Sequence, residues 1–505
     1  MRDIMKQVDA NLAIQVPDHS THNLDRQTLT TMNFGTLCPV LCMETVPGAT
    51  YYITPETLVR FQPLNSPLMH KCDMKIMLFH VPNRLVWDNW ENFLMGKVDP
   101  QTGLNPVKPY YLPSSIANNA VNGVSAHRLI DYFGIKSKLA NAHTASTQKL
   151  CPMPLAAYQK IWNRYFRHKA VRDEIQADLT DGLISSTLFN RIVSMRKITY
   201  EDDYYNAALP TPQKGDAAYI DDDAPVYRNA GTATPSNYRF LASDSGLFDK
   251  LTSEVPNSVG TNNLYAEVKI TMEEIRRVAA AQKIAEISMH TGDIIDYYKA
   301  FYNVDFPDSR ARQPEYIGGV SQPVTISDVM NTADDFQGRL VGNGTGYAKG
   351  DGCKYYAYEH GFIIGIAVCT YRSLYTKAIP KFHFKNNRFD YFNPQFDGLG
   401  EQAITRVEVN GLGSGDELEF GYVPRHHDYR ATFDLVTGEM ATTYSNWHLG
   451  RDYAGIFGLS ADFYDVIDQR RAFAYTGLDY DPIIVQAYFD IRATLPMGQL
   501  PERSM

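Results

Sequence analysis

Hydrophobic and polar positions alternate most cleanly near the end of the chain. There Ile483, Val485, Ala487, Phe489, Ile491 and Ala493 share one side, and Gln486, Tyr488, Asp490 and Arg492 the other. A period of two predicts a strand with one buried face. The pattern recurs from Lys71, with Cys72, Met74, Ile76 and Leu78 opposite Lys71, Asp73 and Lys75. LCPVLCMETV, which begins at Leu37, is apolar almost throughout, as a strand covered on both faces requires. Pro47-Gly48 then supplies a tight turn into a strand carrying Tyr51, Tyr52 and Ile53. Strands resume in CKYYAYEHGFIIGIAVCTYRS, whose Gly361 to Cys369 is the longest apolar run.

Helical spacing appears in three places. Pro82-Asn83 breaks a strand, and Asn83 reads as the N-cap of a short helix stopped by Gly96, with Trp87, Trp90 and Phe93 on it. Pro152 to Lys169 reads as an amphipathic helix with Pro154 in its first turn. Its stripe is Leu155, Tyr158, Trp162, Tyr165 and Phe166, with Gln159, Lys160, Asn163, Arg164 and Arg167 elsewhere. A third helix starts at a capping box, Thr271 with Glu274, and stops at Gly292. Its Ile275, Val278, Ala279, Ile284 and Ile287 lie on more than one face, so it is expected to be buried.

The connections are long. Residues 1–35 read as an extended arm, ordered only against a neighbour. Lys97 to Gln148 is rich in Pro, Gly, Asn and Ser around one apolar piece, HRLIDYFGI. Residues 36–505 read as one domain with large insertions, among them the acidic stretch 216–262. That stretch holds seven acidic residues against three basic, including Asp221, Asp222 and Asp223. Its sparse apolar residues make it a surface insertion, not a core.

Composition narrows the function. With 21% charged and 44% hydrophobic residues among 505, the chain is an ordinary folded protein. Thirty-three tyrosines fit either extensive protein–protein contact or a β-rich composition. The net charge is −9 and no run of Lys and Arg occurs, so most of the charge needed to neutralise a nucleic acid would have to come from elsewhere. The six cysteines form no CxxC pair and read as reduced, buried thiols. The N-terminus has no apolar signal core, and no run approaches the ~20 residues of a membrane helix. A soluble protein made in a cytoplasm, without membrane insertion, is expected.

No reaction is legible. HExxH, GxSxG and the phosphate-loop pattern are absent, and the glycines of GRLVGNGTGYAKGDG read as a flexible connection. His426-His427-Asp428 is the densest ligand cluster, but neighbours in a strand point to opposite faces. No catalytic residue, metal or cofactor is assigned. Basic and aromatic residues mix in NRYFRHK and in PRHHDYR, a pattern suited to single-stranded nucleic acid. Arg425, His426, Tyr429 and Arg430 are therefore candidate contacts, with a solvated face or an ion pair between subunits as the competing reading.

The blocks LCPVLCMETVPGATYYI, LVRFQPLNSPLMH and FHVPNRLVWDNWENFLMG stand in the order that resembles the major capsid protein of microviruses, the gokushovirus type in particular. YEDDYYNAALPTPQKG, FPDSRARQPEYIGG, FDYFNPQFDGLGEQ, FGYVPRHHDYRATFD and YSNWHLGRDY extend the resemblance over most of the chain. It implies a mainly β fold: an eight-stranded antiparallel viral jelly roll with long inserted loops and several helices, its last strand closing a sheet begun by the first. It also implies a T=1 icosahedral shell of sixty copies around circular single-stranded DNA, assembled in a bacterial cytoplasm into a virion. The implied partners are a small basic DNA-binding protein, a scaffolding protein and the host cell surface. Arg310, Arg312, Glu315 and Tyr316 become candidate subunit contacts, and Asp221, Asp222, Asp223 and Tyr227 candidate host contacts on the outward insertion. The rival class is a secreted β-sandwich carbohydrate-binding or carbohydrate-active protein. It would normally carry a secretion signal and, for hydrolysis, two carboxylates across a cleft.

Overall fold

The computed structural model describes residues 18–98, 103, 105–113, 128–135, 147–214, 226–228, 264–266, 272–290, 294–303, 313–330, 340–411, 418–452, 458–477 and 480–497. The early strands are β1 (Ser20–Asn23), β2 (Arg26–Met32), β3 (Cys38–Thr45), β4 (Thr50–Phe61) and β5 (Cys72–Pro82). Next come β6 (Val226–Arg228), β7 (Leu264–Ala266), β8 (Glu315–Pro323), β9 (Thr325–Met330), β10 (Leu340–Lys349), β11 (Cys353–Tyr356) and β12 (Gly361–Tyr371). The last are β13 (Leu374–Tyr375), β14 (Glu401–Thr405), β15 (Glu419–Pro424), β16 (Asp434–Leu435) and β17 (Ile483–Leu495). Helices include α1 (Trp90–Met95), α2 (Met153–Ile161), α3 (Ser186–Ile192), α4 (Met272–His290), α5 (Ile294–Tyr302) and α6 (Arg406–Asn410). Two units divide the chain: Met1–Pro210 with Asn303–Met505, and Thr211–Tyr302.

In the larger unit two sheets enclose one core. The first runs β1-β17-β4-β10-β9, with β2 also on β17 and β11 also on β4; the second runs β3-β12-β5-β8. The alternation of β17 is reproduced residue for residue: Ile483, Val485, Ala487, Phe489, Ile491 and Ala493 are buried. β17 pairs antiparallel with β4 from Ile483–Phe61 to Thr494–Thr50, so the last strand closes a sheet opened by an early one. Tyr51, Ile53, Val59 and Phe61 of β4 share this core with Met74, Ile76 and Leu78 of β5 across the sandwich. Each such side chain contributes about 1.5–3 kcal/mol by leaving water. Gly48, at φ 81°, makes the turn that carries the chain from β3 in one sheet to β4 in the facing one.

β12 explains the longest apolar run. Ile363, Ala367 and Cys369 face the sandwich core, while Phe362, Ile364, Ile366 and Val368 face a second core under α2. A strand covered on both sides cannot alternate. The architecture is thus mainly β, a sandwich with helices on one face. The facing sheets hold seven and four strands among the described residues, not the eight expected, because β1, β2 and β11 add short partners to long neighbours.

Four local expectations are corrected. Ser20–Met32 of the arm forms β1 and β2, which pair with β17 of the same chain instead of a neighbour. The thirteen-residue β17 offers a full edge of backbone donors and acceptors that must be paired. Residues 1–17 lie outside the described residues. Asn83 is buried in a single 3-10 turn and caps nothing with its side chain; α1 begins only at Trp90, though Gly96 does end it at φ 63°. α2 passes into a π-helical turn at Trp162–Phe166 and is buried nearly all round, Gln159 and Asn163 included. Those two amides donate to the carbonyls of Ile192, Ser194 and Ile175, which is why polar residues sit on a buried face.

The smaller unit holds the β6–β7 ladder, α4 and α5. α4 overturns the fourth expectation: no residue of it is buried, and Met272, Ile275 and Ile284 are exposed. Its apolar residues are spread too widely to form one stripe. Thr271 and Gly292, the expected ends, lie outside the described residues.

Candidate functional site

A third core packs under the β14–β15 hairpin, from Tyr204, Tyr205, Tyr375, Ile404, Val409, Phe420, Val423 and Phe463. The chain from Pro380 to Gly400 crosses above it with only two single 3-10 turns, Lys381–Phe384 and Pro394–Phe396. Its prolines and asparagines prevent anything longer. Asp390 Oδ2 accepts from the backbone of Asn386 and Asn387, and Asn393 Oδ1 from that of Gln395. Four rings of this segment, Phe382, Phe389, Tyr391 and Phe392, remain exposed.

Beside it, β15 ends at Pro424, and two residues on His426 takes a left-handed φ of 61°. His427–Tyr429 then forms a 3-10 turn, so the His426-His427-Asp428 cluster lies on a turn and not on the strand expected. Among the described residues no group of His, Cys, Asp and Glu is placed to hold a metal. The turn meets the 380–400 segment around a cleft of about 290 Å³. Lys385, Phe389, Gln402, Arg425, His426 and Asp428 are among its walls.

Charge in the cleft is largely paired. Lys385 forms an ion pair with Asp428 and lies 4.0 Å from the centre of the Tyr429 ring. Burial works against the Lys385 ammonium, but hydrogen bonds to Asp428 and Tyr429 outweigh it and raise its pKa. Lys381 donates at 2.8 Å to Glu408, a fully buried carboxylate that also accepts from the Thr405 amide in the cap of α6. The guanidiniums of Arg388 and Arg425 sit over the rings of Phe389 and Phe396, 4.5 and 4.8 Å from their centres. Burial, with the Arg430 charge adding to it, pushes the pKa of His427 down. His426 is 3% exposed, and its Nε2 has no hydrogen-bond partner among the described residues.

Of the residues nominated from sequence, Arg425, His426, Tyr429 and Arg430 come together here, although Arg430 is committed to Asp397. Glu315 and Tyr316 lie on β8, at the edge of the second sheet. Glu315 accepts from the Tyr355 hydroxyl at 3.2 Å, and Tyr316 is half exposed with its ring 5.5 Å from that of Phe79. Arg310, Arg312, Asp221, Asp222 and Asp223 lie outside the described residues; Tyr227 is on β6, opposite Tyr265. Sequence reasoning missed Lys385, Arg388, Phe389, Tyr391 and Phe392. The signal was there in KFHFKNNRFDYF, where cations and rings interleave as they do in PRHHDYR.

Such a surface can hold phosphates by its arginines and bases by its rings. The chain's likeness to known proteins bears on what the surface serves. A family model described as "Capsid protein (F protein)" matches residues 12–503. The "Capsid protein VP1" of Bdellovibrio phage phiMH2K is 26% identical over 96% of this chain and 95% of the relative. The proteins of the same name from Chlamydia phage 1 and Spiroplasma virus 4 are 25% and 23% identical, over 93% and 95% of this chain and 92% and 94% of theirs.

Proposed function

The chain belongs to the phage capsid protein family typified by the F protein, and from that premise we propose how it works as a coat subunit. Copies of it close into a T=1 icosahedral shell of sixty subunits around a circular single-stranded DNA genome. The near-complete span of the family match carries this reading, because it covers the whole sandwich and its excursions. The subunit performs no reaction; its work is burial of surface between copies, each specific contact requiring ~1,000 Å² or more. Repetition by closed symmetry then makes weak contacts sufficient.

Genome contact is assigned to the basic and aromatic face formed by 381–396 and Arg425–Tyr429. With a net charge of −9 the subunit relies on a small basic DNA-binding protein for the remaining neutralisation. β8, with Glu315 and Tyr316, serves subunit contacts together with Arg310 and Arg312; the acidic insertion faces the host cell; a scaffolding protein assists assembly. Ultraviolet cross-linking of DNA-filled particles followed by peptide mapping tests the genome assignment. Cross-links at Phe389, Tyr391 or Tyr429 are expected, and cross-links confined to other segments would overturn it. Electron microscopy of the expressed protein with its assembly partners should show small round shells; fibres or monomers alone would refute the assembly reading.

A further inference from the structure

We propose that the cleft beside Phe389 accepts a single unstacked nucleobase. The proposal rests on the genome-contact reading and sharpens it, since the coat would then hold bases as well as phosphates. Size is the first argument. At about 290 Å³ the cleft lies at the small end of ligand pockets, which run from ~300 to ~1,000 Å³. It has room for a planar ring and its sugar, not for a duplex or a peptide.

The lining is the second argument. Phe384 and Phe389 offer apolar faces, while Gln402 and His426 offer polar atoms, as a base with a π-face and a hydrogen-bonding edge requires. The buried Nε2 of His426 lacks a partner among the described residues, a state that costs free energy until something fills it. A base edge carries both carbonyl acceptors and N–H donors, so one or the other can do so in either tautomer of the imidazole. The Gln402 Oε1 is already taken by the His426 backbone amide at 3.1 Å, which fixes the relative placement of the two side chains.

Charge is the third argument. Lys381 and Lys385 are tied to Glu408 and Asp428, so the floor of the cleft is nearly neutral and poorly suited to a phosphate. Arg388, and Arg425 in the wall of the cleft, are held over phenylalanine rings and supply the charge for the backbone.

The test uses the purified coat protein and two fluorescent oligodeoxynucleotides with equal numbers of phosphates, one of thymidines and one abasic. The thymidine strand is expected to bind about tenfold tighter, the share of a stacked base. Phe389→Ala changes a half-exposed ring, so the variant should fold, and it should erase that difference. His426→Asn, whose side chain tolerates the left-handed backbone, should also reduce the difference. Arg425→Gln should instead weaken both strands and flatten the salt slope. Equal binding of the two strands would overturn the base pocket while leaving the genome contact standing. Failure of both strands to bind, with cross-links elsewhere, would overturn the genome contact itself. Thymidine monophosphate competing as well as the thymidine strand would show a free-nucleotide site and overturn the strand assignment.

Discussion

His70 and His80 are held neutral inside the sandwich, and burial drives the pKa of each down to about 4. His70 Nδ1 accepts from the Leu449 amide at 3.0 Å, and Nε2 donates to the Arg372 carbonyl at 2.8 Å, leaving no place for a second proton. The unfolded chain binds those protons near pH 6.5, so stability is full above that value and falls as the pH drops from 6.5 to 4. The loss is about 1.4 kcal/mol per pH unit for each histidine. Thermal melts between pH 7.5 and 4.5 should show this decline, and His70→Gln, which retains a donor, should flatten its slope; an unchanged slope would contradict the account. At Glu408 the expectation is a mutational one. Lys381→Met leaves a fully buried carboxylate without its cation and should cost about 3–5 kcal/mol in chemical denaturation. Adding Glu408→Gln should restore part of that loss.

Among the elements, β17 carries the most. It joins β1, β2 and β4 in one sheet and supplies six side chains to the sandwich core. Phe489→Ala should therefore cost about 3–5 kcal/mol through the cavity it leaves. Ile484→Thr, on the opposite and half-exposed face, should stay within ~0.5 kcal/mol. Equal effects at the two positions would contradict this division of β17 into a buried and an open face. α2 shows why polarity alone misleads about exposure. Gln159 also accepts from Arg196 Nε at 2.7 Å, so its amide is fully used within the interior.

For the whole molecule, α4 raises the central question of support. A nineteen-residue helix with no buried residue gains little from packing among the described residues of its unit, and isolated helices are marginal in water. Its exposed Met272, Ile275 and Ile284 are expected to be covered by neighbouring copies in the shell. Hydrogen exchange should therefore find the α4 amides fast in dispersed protein and slow in closed particles. Full protection in the dispersed chain would contradict this dependence on neighbours. No helix among the described residues is long and apolar enough to cross a membrane.

Periodicity by itself determined the strands with one buried face, β5 and β17, and the doubly covered character of β3's first half. Side-chain direction along a strand is set locally by the backbone, so these could be read without a partner in view. The order of the quoted blocks determined the family. The tertiary structure alone decided which strand edge the arm pairs with, that Gln159 and Asn163 are interior, that α4 has no buried residue, and that KFHFKNNRFDYF meets PRHHDYR around one cleft. Each of these depends on what lies across a gap of tens or hundreds of residues, and long-range partners leave no period in the sequence.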